Sequence, residues 1–161
     1  PVLRVSAEVD HVLDAAGHAL TGGSYATGEN GRVRLGSVPA GSWEIVVSAG
    51  GSGALSLRAN VPGQPVAVHL PPACALKVTV PALAGSTTAA TATIKGVDGR
   101  IFRALGWMSD TTSQFRLAGG QLQIDTLPPG SWTVQVAAAD GRSWSATSST
   151  QPGTRAEVVL Q

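Results

Sequence analysis

Side chains able to bind metals or to act as nucleophiles and bases are few in this chain, and their spacing decides what they can do. The three histidines, His11, His18 and His69, fall in the N-terminal half, with Asp10 and Asp14 close by. Zinc ligands return at short, fixed intervals. These spacings match no such pattern, so separate exposed histidines near turns are the expected arrangement. Cys74 is the one cysteine, which excludes an internal disulfide and any multi-cysteine metal centre. Nothing beside it in sequence gives reason to expect an activated thiol. Asp10, Asp14, Asp98, Asp110 and Asp140 are scattered over turns, where calcium would need several oxygens converging. No serine elbow, paired nucleophile and base, phosphate-cradling glycine loop or metalloprotease helix motif occurs. The sequence predicts no enzyme, no cofactor and no metal.

The tryptophans are the remaining candidates. Trp43 and Trp132 stand at equivalent places in two similar stretches, and a repeated aromatic at a fixed inward position reads as core packing. Trp107 has no such twin: it sits beside Gly106 and Met108 in a segment peculiar to the C-terminal half. Trp107 and Trp144 are the candidate ligand-binding residues, as platforms for a stacked sugar ring or a protein contact. A satellite core under a long loop is the competing reading for Trp107.

The elements that must position these residues are set by a repeat. Val38-Pro39-Ala40-Gly41-Ser42-Trp43 returns as Leu127-Pro128-Pro129-Gly130-Ser131-Trp132, an offset of 89 residues. Each copy has a Gly turn, an alternating run, the Pro-Gly corner, a Trp-led alternating run and further Gly turns. Each then closes on alternating apolar residues, Val66, Val68, Leu70 and Ala156, Val158, Leu160, where the offset is 90. The period exceeds that of solenoids and propeller blades, so each copy reads as a small domain, 1–71 and 72–161. Pro71-Pro72 marks the boundary: two prolines cannot continue a ladder, and they make a short, stiff joint.

Along the chain the pattern is strand and turn. Residues 2–12 alternate as a half-buried strand. A turn at Asp14-Ala15-Ala16-Gly17, a Gly-rich loop through Gly22 and Gly23, and a hairpin signal at Asn30-Gly31 follow, then Val33 and Leu35 facing inward. Trp43, Ile45 and Val47 point to the core; Gly50, Gly51 and Gly53 form a loose turn where turn chemistry suffices. In the second copy Leu76, Val78 and Val80 alternate against Lys77 and Thr79, and Asp98-Gly99 and Asp140-Gly141 are turn signals. Aligning Ala7-Glu8-Val9 on Ala92-Thr93-Ile94 leaves nothing in the first copy to match residues 75–80. The first copy is therefore expected to lack its opening strand, with the chain a piece of a longer protein. Its exposed edge is then a candidate for pairing with another chain.

Composition agrees. Hydrophobic residues make up 43% of the 161, much of it Ala and Val, and Lys77 and Lys95 are the only lysines, a profile poor in helix formers other than Ala. A net charge of +1 with scattered basic residues leaves no footprint for nucleic acid or an anionic membrane. No apolar run approaches the roughly 18 residues that span a bilayer.

About seven short strands per copy, with a Leu-x-Pro-Gly-x-aromatic corner between two alternating strands, resemble the carboxypeptidase regulatory-like domains of the transthyretin-like β-sandwich group. Residues 31–47 and 120–136 carry the resemblance. Two departures stand out: Trp43 and Trp132 replace the usual Tyr, and Val33 and Leu122 replace an aromatic after the turn Gly. The resemblance implies an all-β fold of two tandem seven-strand, Greek-key sandwiches. It further implies a non-catalytic accessory pair from a bacterial protein placed at the cell surface, in the periplasm or outside the cell. In such domains an aromatic placed as Trp144 is covers the end of the sandwich. Some relatives join a first-strand Lys to an Asn or Asp of the last strand. Lys77 has outward parity and residues 155–160 contain neither Asn nor Asp, so no crosslink is expected. A rigid spacer or protein-interaction module, contacting neighbouring domains or a protein partner, is the leading function. The alternatives are a polysaccharide-binding module using exposed Trp and the accessory part of an enzyme.

Overall fold

The computed structural model of the chain describes residues 8–13, 25–26, 40–64, 66–105 and 111–161. Across these residues the protein is a strand protein, with one short 3-10 turn at Pro81–Leu83. The N-terminal part forms an antiparallel sheet of β1 (Glu8–Leu13), β2 (Tyr25–Ala26), β3 (Gly41–Ser48) and β4 (Leu55–Val61), in the order β2-β1-β3-β4.

The C-terminal part supplies β5 (Cys74–Thr79), β6 (Ala90–Gly96), β7 (Ala104–Leu105), β8 (Thr111–Thr112), β9 (Phe115–Arg116), β10 (Gln121–Leu127), β11 (Gly130–Ala138), β12 (Ser143–Thr150) and β13 (Arg155–Val159). They form a four-stranded sheet, β12-β11-β6-β9, and a three-stranded sheet, β10-β5-β13, with β7 and β8 as a small separate pair. In the three-stranded sheet β5 is central: β10 joins it antiparallel and β13 joins it parallel.

The sequence repeat is a structural repeat. The order β2-β1-β3-β4 matches β9-β6-β11-β12 strand for strand, each β2-like strand being a stub of two residues. The corner glycines that open β3 and β11 adopt almost the same positive φ, +152° at Gly41 and +153° at Gly130. At each, an added Cβ would face the indole nitrogen of the following tryptophan, 3.8 Å from that of Trp43 and 3.6 Å from that of Trp132. Positive φ disfavours any residue with a Cβ, so both copies keep Gly at the corner.

The core follows from period-two alternation. Leu76, Val78 and Val80 are 0% exposed and pack with Ile94, Val134 and Val136 of the opposing sheet. Phe102 fills the end of this core, its ring 5.9 Å from that of Phe115 and 5.8 Å edge-on from that of Trp132. Cys74, at the head of β5, is buried.

Two expectations are corrected. Residues 66–70, read as the closing strand of the first copy, belong to no strand, and Val66 is 51% exposed. The reason lies in the topology: their counterpart β13 gets its ladder from β5, and no such strand is described in the N-terminal repeat. The second correction concerns β3. Trp43 and Val47 are buried as expected, but Ile45 is half-buried while Val46, of opposite parity, is fully buried. Both faces of β3 are therefore covered along its second half.

The turns at 14–17, 22–23 and 30–31, with Val33 and Leu35, lie outside the described residues, as do the strand residues before Glu8.

Candidate functional site

The residues brought together by the fold, and not by sequence proximity, lie where the two repeats meet. The β3–β4 turn, residues 49–54, runs against the end of β10. Gly53 N–H donates to Pro71 O at 2.8 Å, Ala54 N–H donates to Thr126 O at 2.8 Å, and Ala73 N–H donates to Gly51 O at 3.2 Å. Ser52 and Pro72 form an isolated antiparallel bridge. Ala54, from the N-terminal repeat, is 3% exposed and belongs to the core cluster of the C-terminal one.

Gly53 is therefore not part of a loose turn. A Cβ there would lie 2.9 Å from Pro128 Cα, 3.0 Å from Pro128 N and 3.3 Å from Leu127 O, all backbone atoms that cannot swing aside. Glycine stands at 53 because two backbones touch, which is a different reason from the φ-driven one at the corners. The corner of the second copy is thus both a chain reversal and a docking surface. Sequence reading identified both stretches but paired neither with the other, since the contact joins residues more than 70 apart.

Beside this contact, Glu44 of β3 reaches Arg103 across the junction, Oε1 to Nε 3.6 Å, with side chains 30% and 21% exposed. Arg58 is the register partner of Glu44 on β4, and Arg100 is held by Asp98 at 3.3 Å. Glu44, Arg58, Arg100 and Arg103 line an open cleft of about 160 Å³. That is well below the roughly 300 Å³ at which organic-ligand pockets begin, so the cleft is a seam between surfaces rather than a pocket for a substrate.

The two candidate platforms fare differently. Trp107 lies outside the described residues. Trp144 is half-buried on β12 and packs against the core, with the Arg142 guanidinium 5.4 Å above its ring. Arg142 is held in turn by Asp140: Nε donates to Oδ2 at 2.9 Å, and Nη2 lies 2.7 Å from Oδ2. These hydrogen bonds from Arg142 hold the Asp140 carboxyl below the usual carboxylate range and raise the guanidinium. The Asp140-Gly141 turn thus delivers an arginine onto an aromatic face, a cation–π contact.

Of the histidines, His69 is exposed, the backbone of His11 lies in β1, and His18 is outside the described residues. Among the described residues no group of three His, Cys, Asp or Glu side chains gathers as a metal site would. Lys77 has the outward parity expected, and its Nζ lies 3.8 Å from Glu157 Oε1, its register partner on β13. The partner on the last strand is thus a Glu, where the crosslinked relatives carry Asn or Asp.

The geometry defines an all-β protein with sandwich architecture, in which one four-stranded sheet occurs twice and the repeats touch through backbone. No protein-family profile matches the sequence, and no curated protein matches it either. Among solved structures, it is similar to BcpA, the major pilin subunit of Bacillus cereus, with a TM-score of 0.36 and 13% identity over 77% of this chain and 40% of that one. It is also similar to the pilus 2b backbone protein of group B streptococcus, with a TM-score of 0.35 and 11% identity, covering 100% of this chain and 81% of that one. The chain spans less than half the length of BcpA. Both likenesses are distant. No helix among the described residues is long and apolar enough to cross a membrane.

Proposed function

We propose that residues 1–71 and 72–161 are two transthyretin-like units of the carboxypeptidase regulatory-like kind, acting without catalysis as a rigid spacer and protein-contact module in a larger exported bacterial protein. The observation that supports it is the docked turn at Gly53-Ala54. A spacer transmits position only if its joint is stiff, and a Pro-Pro link alone restrains two dihedrals while leaving others free. Here the Ala54 amide donates to Thr126 O at 2.8 Å and the Ala73 amide donates to Gly51 O at 3.2 Å, both across the junction, and Ala54 is buried in the second core. At about 1 kcal/mol per hydrogen bond, with a similar amount for the buried methyl, the dock is worth roughly 3 kcal/mol. That favours one orientation by about 100-fold, which is enough for a spacer and too little for an obligate interface.

The experiment is a distance measurement by pulsed electron paramagnetic resonance between spin labels at Asn60 and Ser145, both exposed, in a Cys74→Ala background. One narrow distance distribution is expected, broadened by Gly53→Ala. A broad distribution in the parent protein would mean a flexible joint and remove the spacer reading.

A further inference from the structure

We propose that the cleft where the repeats meet is a docking site for an acidic segment of a protein partner, its carboxylates held between Arg58 of one repeat and Arg100 and Arg103 of the other. The charge balance is the first observation. Three guanidinium groups and one carboxylate, that of Glu44, line the cleft. Glu44 gives its Oε1 to Arg103 at 3.6 Å, across the junction, although Arg58 is its register partner on β4. Arg58 is exposed and has no ion pair among the described residues. Asp98 lies outside the lining and holds Arg100, Oδ2 to Nε 3.3 Å, yet the Arg100 side chain stays 67% exposed. Even with Asp98 counted, the three arginines outnumber the acids beside them.

The second observation is apolar surface in the same place. The turn that follows β6 is well fixed: Gly96 N–H donates to Arg100 O at 2.9 Å, Arg100 N–H to Asp98 Oδ1 at 3.1 Å and Phe102 N–H to Ile94 O at 2.7 Å. Phe102 is buried, so alternation sets its neighbours Ile101 and Arg103 on the other side, in the wall of the cleft. Four large hydrophobic side chains are exposed among the described residues, and two of them, Val97 at 86% and Ile101 at 38%, belong to this one turn. Ile101 shares the lining with half-buried Leu57 of β4. Apolar surface rimmed by charge is the mark of a protein contact.

These residues also state what the occupant must be. A guanidinium offers a carboxylate two parallel N–H bonds, and Leu57 and Ile101 offer an aliphatic chain a dry surface. The occupant therefore carries aspartate or glutamate next to valine, leucine or isoleucine. At about 160 Å³ the open cleft takes side chains from a segment lying across it, not an enclosed organic ligand. No aromatic ring lines it to stack a sugar, and a net charge of +1 supplies no broad field for a nucleic-acid backbone. The proposal rests on the protein-contact part of the function proposed above and names the partner's chemistry. Because both repeats line the cleft, an occupant also ties one to the other.

The test is an NMR titration of the whole chain with a short blocked peptide of alternating glutamate and valine, following the arginine Nε–H signals and the Leu57 and Ile101 methyls. Saturable shifts at Arg58, Arg100 and Arg103 are expected, with a dissociation constant of about 1 mM or tighter. They should fade at about 1 M salt, where the Debye length falls to about 3 Å. Arg58→Gln and Arg100→Gln, both at exposed positions, should each weaken binding about two- to fivefold, whereas Arg155→Gln, outside the cleft, removes the same charge and should leave it unchanged. No shifts with this peptide overturn the proposal, as do equal shifts when glutamine replaces its glutamates. Equal weakening in Arg155→Gln overturns it by assigning the effect to net charge. Tighter binding of polygalacturonate than of the peptide overturns it by assigning the cleft to an acidic polysaccharide. A failed titration leaves a narrow spin-label distance distribution standing, and a broad distribution removes the spacer whatever the titration gives.

Discussion

Thr150 shows how much of the second corner rests on one hydroxyl. It is 3% exposed, and its Oγ1 donates to Pro128 O at 2.9 Å while accepting the Trp132 indole N–H at 3.1 Å. The same indole lies 3.1 Å from Pro128 O, so the three groups close on one another. Thr150→Val keeps the shape and deletes the hydroxyl, leaving Trp132 and Pro128 to pair alone. A loss of about 1–2 kcal/mol is expected, read as a lower urea midpoint at unchanged slope, with Thr150→Ser retaining most of the stability. Asp140 supports a prediction of a different kind. Its folded-state pKa lies below the ordinary value because of its hydrogen bonds to Arg142. Any stability it contributes is therefore full above the unfolded-state pKa and fades as pH falls through the lowered folded value. A carbon-detected NMR titration should place its inflection below that of an ordinary aspartate, and Arg142→Gln should move it back up. The hexapeptide corner and the Asp-Gly turn were legible in the sequence because their partners are within a few residues. The Thr150 hydroxyl was not, since its partners lie about 20 residues away on another strand.

At the level of elements, the sequence showed most plainly what is periodic. Alternation located β5, β6, β10, β11 and β13, and turn chemistry located Gly99 and Gly141, both at positive φ. It failed at residues 66–70, whose alternation is sound but whose ladder needs a partner strand. Periodicity reports which face a residue would take, and it is silent on whether a neighbour exists. It also failed at Gly53, because turn glycines and contact glycines look alike in sequence. The two kinds can be separated by experiment. An added methyl at Gly50 meets nothing within 4 Å, whereas at Gly53 it would lie 2.9 Å from the Pro128 backbone. Gly50→Ala should leave hydrogen exchange at the Ala54 amide unchanged. Gly53→Ala should speed it by about tenfold or more, as the hydrogen bond to Thr126 O opens at a cost of about 1–3 kcal/mol.

For the whole molecule, the described residues of the two repeats differ in what covers their four-stranded sheets, and this sets the order in which they should melt. The C-terminal sandwich has a central β5 and a core drawn from both its sheets, whereas the described N-terminal residues supply a single sheet. The N-terminal repeat is expected to unfold first on heating, releasing the docked turn as it goes. Every later event then happens in a molecule whose joint is already open. Gly53→Ala should therefore lower the first calorimetric transition and leave the second where it was. Because a repeat of this size shifts by about 4–8 °C per kcal/mol, the loss of roughly 1–3 kcal/mol at the dock is well within measurement. Two transitions that shift together would show that the joint couples the repeats into one cooperative block. A single transition in the parent chain that divides into two in Gly53→Ala would place the docking energy above the roughly 3 kcal/mol counted from its contacts.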